Sequence, residues 1–157
     1  MHPRMTDHFK RAQPAFKALV AFEMALRDSP LDAKLLHLVK LRASQINGCA
    51  ACMHIHVDEA LKDGESHARL HVLAGWRESP WFDAKERAAL AWTETLTLVS
   101  QTGAPDEVWA EVEAAFDPEE RVWLSYAIGA INLWNRVQIG FRAVHPDHAP
   151  GPKVEAA

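Results

Sequence analysis

Apolar residues recur along this chain at intervals of three and four, and no clean alternation runs long enough for a β-strand. The pattern predicts an all-α fold, a compact bundle of six or seven helices. Residues 1–12 are polar and read as a lead-in or a short turn. Pro14 suits a first helical turn, and Phe16, Leu19, Val20, Phe22 and Leu26 follow at helical spacing until Asp28-Ser29-Pro30 stops the helix. Asp32 caps a second helix with Leu35, Leu36, Val39 and Ile46 on its apolar side, and Asn47-Gly48 ends it. A third helix starts at about Cys49 and runs to Lys62, stopped by Asp63-Gly64. Ser66 caps a short fourth helix to Ala74, closed by Gly75, and Asp83 with Glu86 makes a capping-box-like start for a fifth reaching Ser100. Pro105 opens a helix to about Ala115. Asp117-Pro118-Glu119-Glu120 then joins cap, proline and first-turn acids at the head of a last helix ending near Ala143.

The last helix carries Val122, Trp123, Leu124, Tyr126, Ile128, Ile131, Leu133, Trp134, Val137, Ile139 and Phe141 around nearly its whole circumference. A helix apolar all round is buried on most sides. In so short a chain this implies cover from another subunit; the alternative is a central helix in a monomeric bundle. The tail after His145, rich in proline, reads as frayed.

The chain has 157 residues, which makes residues 1–157 a single domain. Hydrophobic residues at 48% and charged residues at 24% fit a folded globular protein. A formal net charge of −4 supplies no basic field for nucleic acid or an anionic membrane. No apolar run approaches the roughly 20 residues of a membrane span, and the first residues lack the apolar core of a secretory signal. The expected setting is the cytoplasm.

Cys49 and Cys52 are the chain's two cysteines, too few for a disulfide-stapled secreted scaffold; a Cys-x-x-Cys pair points instead to redox or metal chemistry. On a helix at ~100° per residue, Cys49, Cys52 and His56 share an arc of about 60°, with His54 about 140° round from Cys49. Cys52 and His56 are one turn apart and can meet directly or through a water, whereas Cys49 and His56 are ~10.5 Å apart along the axis. The helix start after Asn47-Gly48 favours thiolate over thiol. Cys52, nearer His56, is therefore the candidate nucleophile and Cys49 its resolving partner: an oxidant converts Cys52 to a sulfenic acid that Cys49 captures as a disulfide. Two alternatives stand beside this, a pair of plain buried cysteines and a metal site. For zinc, one helix cannot bring Cys49 and His56 to the same ion, and no second cysteine pair exists. His54 reads as a surface or interface histidine; His67, His71, His145 and His148 have no spacing that suggests chemistry. Trp76, Trp81 and Phe82 read as caps on the core in preference to an apolar entrance. There is no Gly-rich phosphate loop and no flavin or haem signature, so no cofactor or metal is expected and electrons arrive by thiol exchange.

The string from Leu38 to Cys52, with Leu41-Arg42-Ala43-Ser44-Gln45-Ile46-Asn47-Gly48-Cys49 at its centre and His56 following, resembles the alkyl hydroperoxidase D-like branch of the carboxymuconolactone decarboxylase superfamily. Glu94-Thr95-Leu96-Thr97-Leu98-Val99 and Ala130-Ile131-Asn132-Leu133-Trp134-Asn135-Arg136 are similar to the same branch, so the likeness covers roughly residues 14–143. The resemblance implies an all-helical fold assembled as homo-trimers or homo-hexamers, and thiol peroxidase chemistry. Its substrate would be a hydroperoxide and its reductant a dithiol of the thioredoxin or lipoyl type. It also implies that Cys52 attacks the peroxide, Cys49 closes the disulfide and His56 serves a proton relay.

That relay begins, in the family, with a glutamate twelve residues before the first cysteine, where this chain has His37. A carboxylate there would hold His56 as imidazolium or orient its tautomer; a second imidazole hydrogen-bonds and passes a proton but adds no negative charge, and two protonated histidines repel. His37 is read as a substitute in the relay, with a plain packing change as the alternative. The leading function is thus hydroperoxide reduction. The alternatives are a non-catalytic redox-sensing helical protein and a decarboxylase or lactone-handling enzyme of the same superfamily.

Overall fold

A computed structural model describes residues 2–143. Nine α-helices and one 3-10 turn, without a strand, make up the described residues. They are α1 (His8–Arg11), α2 (Gln13–Arg27), α3 (Ala33–Asn47), α4 (Ala50–Lys62), α5 (His67–Val72), the 3-10 turn Leu73–Gly75, α6 (Ala84–Thr97), α7 (Val99–Thr102), α8 (Asp106–Ala115) and α9 (Pro118–Phe141). The all-α class is as expected, and the count exceeds six or seven for local reasons. The polar lead-in closes one turn as α1. The expected fifth helix breaks at Leu98 (φ −107°, ψ 30°) and resumes as the short α7, while the fourth tightens into the 3-10 turn after Val72. The expected frayed tail lies outside the described residues.

The caps fall where the sequence signals put them. The Asp32 side chain accepts from the N–H groups of Lys34 and Leu35. Asp83–Glu86 and Asp117–Glu120 each form a full capping box, satisfying two otherwise orphaned donors reciprocally.

The central helix is α3. Leu35, Leu36 and Val39 pack with Ala89 and Trp92 of α6 and Leu124 and Ile128 of α9. Leu38 and Leu41 join a second cluster with Ala60 of α4, Leu70, Leu73, Trp76, Phe82 and Leu90. Trp76 and Phe82 are therefore core residues, as expected, while Trp81 is half exposed. A third, small cluster gathers Ala43, Cys49, Ala51, Cys52 and Ile131 against Trp134. Within this chain α9 is covered along Leu124, Ile128 and Ile131 and leaves Val122, Tyr126, Leu133 and Ile139 exposed. No helix among the described residues is long and apolar enough to cross a membrane.

Candidate active site

The turn between α3 and α4 presents the cysteines. Gly48 takes φ +72°, a left-handed conformation that costs an L side chain energy, and nothing lies within 4 Å of where a Cβ would stand, so backbone conformation is what selects glycine. The Gly48 N–H donates to the Gln45 carbonyl and the Cys49 N–H to the Ser44 carbonyl, the paired bonds of a Schellman stop. Beneath this turn lies a buried amide network. Asn47 Nδ2 donates to Asn132 Oδ1 (3.0 Å) and Asn135 Oδ1 (2.8 Å), Asn135 Nδ2 to Ser44 Oγ (3.0 Å), and Asn132 Nδ2 to Thr97 Oγ1 (3.0 Å). The network ties the end of α3 to α9 and α6, so the cysteine turn is held from below by three helices.

Cys49 and Cys52 form a disulfide, with Cα atoms 5.4 Å apart. Cys49 is not a helical residue as expected but the N-cap of α4 (φ −85°, ψ 93°), its sulfur accepting from the Cys52 N–H at 3.4 Å. Both cysteines are buried. Cys52 and His56 line one cavity of about 270 Å³, walled also by Glu23, Lys40, Ile55, Glu59, Ile131, Trp134 and Gln138. Glu23 of α2 organises one wall, accepting from Lys40 Nζ (2.6 Å) and from Trp134 Nε1 (2.9 Å).

His56 and His37 are brought to the same carboxylate. Glu59 Oε2 lies 2.9 Å from His56 Nδ1 and 4.0 Å from His37 Nδ1, and His37 Nε2 lies 2.7 Å from Asp63 Oδ2. The hydrogen bond from His56 holds the Glu59 carboxyl below the usual carboxylate range; the charges of His56, His37 and Lys40 add to this and burial opposes it. His54 is half-buried and lines none of these walls. Sequence reasoning missed Glu59, Lys40, Glu23 and Trp134. Glu59 was within reach, since it stands three residues after His56 on one helix face; Glu23 and Trp134 reach the cavity only by tertiary packing.

The model of the carboxymuconolactone decarboxylase family matches residues 13–95, a stretch that contains both cysteines, His37, His56 and Glu59. The chain belongs to that family, in its alkyl hydroperoxidase D-like branch. The uncharacterised protein YdfG of Bacillus subtilis is 34% identical over 133 residues, covering 85% of this chain and 90% of that protein. A crystal structure from Agrobacterium tumefaciens, of a protein of unknown function for which the antioxidant-defence protein AhpD is the candidate identity, is 44% identical with a TM-score of 0.89, over 92% of this chain and 99% of that one. The debrominase Bmp8 shares the fold alone, with a TM-score of 0.81 at 14% identity over 88% of this chain and 75% of that one.

Proposed function

We propose that the protein is a thiol-dependent hydroperoxide reductase. The observation that carries this reading is the Cys49–Cys52 disulfide with Cys52 and His56 on the wall of one cavity. In the reduced protein, His56 takes the Cys52 proton and the thiolate attacks the terminal oxygen of ROOH. The O–O bond breaks, Cys52 becomes a sulfenic acid, and the leaving alkoxide takes back from His56 the proton that Cys52 gave up, leaving as ROH. Cys49, its sulfur at the head of α4 where a backbone N–H favours the thiolate, attacks the sulfenic sulfur and releases water. A dithiol then reduces the disulfide by exchange, taking the oxidation onto itself and restoring both thiols. Those two electrons are the ones the peroxide consumed. His37 stands one carboxylate removed from His56 and is carried here as an outer member of the relay. We place the enzyme in the cytoplasm, as a homo-oligomer of trimeric or hexameric type.

The test is steady-state consumption of an organic hydroperoxide by the reduced protein with dihydrolipoamide. Wild type turns over, and Cys52→Ser loses turnover by at least 10³-fold, the order expected for a removed nucleophile. Oxidation limited to a single turnover would instead establish the redox-sensing alternative. Persistent turnover in Cys52→Ser would sink the assignment of the nucleophile.

A further inference from the structure

Resting on that reading, one question is which group aims His56 at Cys52, since His37 stands where a relay glutamate is expected. The two ring nitrogens of His56 are not equivalent. Nδ1 is 2.9 Å from Glu59 Oε2, and an ionised carboxylate has only lone pairs to offer, so Nδ1 carries the proton and Nε2 is left with its lone pair free. The His56 side chain is only 12% exposed, and the ring lines the Cys52 cavity, so its orientation is set by few partners. Glu59 itself is half exposed and needs holding. The groups that face it do so: His37 of α3 at 4.0 Å, backed by Asp63 at 2.7 Å from the far ring nitrogen, and the charge of Lys40 of α3, itself paired with Glu23 of α2. From α9 the cavity receives Trp134 and Gln138, which carry no charge.

We propose that Glu59 is the positioning carboxylate of this site, fixing His56 as the Nδ1–H tautomer so that Nε2 accepts the Cys52 proton, with His37 and Asp63 as the outer pair that orients Glu59. The negative charge absent at position 37 is thus supplied from within α4, one turn beyond the histidine it serves, and His37 complements that charge.

The experiment uses the full chain with Cys49→Ser, so that Cys52 is the single thiol, in three forms: Glu59, Glu59→Ala and Glu59→Asp. The iodoacetamide alkylation rate of Cys52 is followed against pH, and the ¹⁵N shifts of the His56 ring report its tautomer. In Glu59→Ala the rate at pH 7 falls about tenfold, the lower edge of what loss of an orienting partner costs a metal-bound histidine, while the rate at pH 10, where the thiol ionises unaided, is unchanged. The His56 signals move away from the Nδ1–H pattern, and Glu59→Asp recovers part of both effects. An unaltered alkylation profile with the Nδ1–H tautomer intact in Glu59→Ala overturns the proposal, as does a loss of rate equal at both pH values. Neither readout requires turnover. A wild-type protein that fails to reduce hydroperoxide but shows these responses defeats the functional reading and leaves the role of Glu59 standing.

Discussion

At the scale of single residues, the site is an arrangement of protons around one carboxylate. Glu59 is held below the usual carboxylate range by the His56 hydrogen bond first and by the His56, His37 and Lys40 charges after it. A carboxyl depressed in the folded state contributes stability that is present above its unfolded value, near pH 4.3, and lost as pH falls through the folded value. His37→Gln removes one of those cations and so raises the Glu59 carboxyl toward its ordinary value. The expected result is an acid-unfolding transition that begins at higher pH than in wild type, read by circular dichroism, with stability at pH 7 changed by less than about 1 kcal/mol because Glu59 is half exposed. An acid limb that does not move would show that His37 does not act on Glu59.

At the scale of elements, the junction of α3 and α4 decides whether the cysteines are presented at all. Its geometry rests on Gly48 above and on Asn47, Asn132, Asn135 and Ser44 below. Asn135 and Ser44 are fully buried, so removing the Asn135 amide leaves Ser44 without that donor in a place water does not reach and takes one of two acceptors from the half-buried Asn47. Asn135→Ala is expected to cost about 2 kcal/mol, measured by urea unfolding of the oxidised protein; a cost below about 0.5 kcal/mol would mean the network does not hold the turn. A second polar knot serves the far side of α3. Glu94 accepts from Arg42 and Trp76 and pairs with Arg77, and although burial pushes its carboxyl up, the hydrogen bonds from Arg77, Trp76 and Arg42 bring it below the usual range.

At the scale of the whole molecule, α9 is the element the single chain does not finish. Tyr126 is 56% and Val122 52% exposed, with Leu133 and Ile139 also open, on the helix whose sequence is apolar around its full circumference. Val122, Tyr126 and Leu133 share one stripe of the helix at ~100° per residue, and a contiguous exposed apolar surface marks an interaction site, which agrees with the oligomer proposed above. Leu133→Glu is expected to shift the sedimentation velocity of the purified protein from an assembled to a monomeric species. Wild type sedimenting as a monomer at micromolar concentration would remove the basis for that proposal.

Much of this was legible in the sequence because its causes are local. The caps at Asp32, Asp83 and Asp117 follow from side chains reaching the next turn, and Gly48 from the left-handed stop it alone takes cheaply. Helical periodicity likewise put Cys52 and His56 on one face. Tertiary structure decided what depends on residues far apart in the chain. It made α3 the central helix, because two apolar clusters close on different faces of it, a placement its own periodicity does not announce. It walled the Cys52 cavity with Glu23 and Trp134 from α2 and α9. And it put the Glu59 carboxylate between His56 and His37: the first pairing was implicit in helical spacing, but the second exists only because α3 and α4 pack side by side.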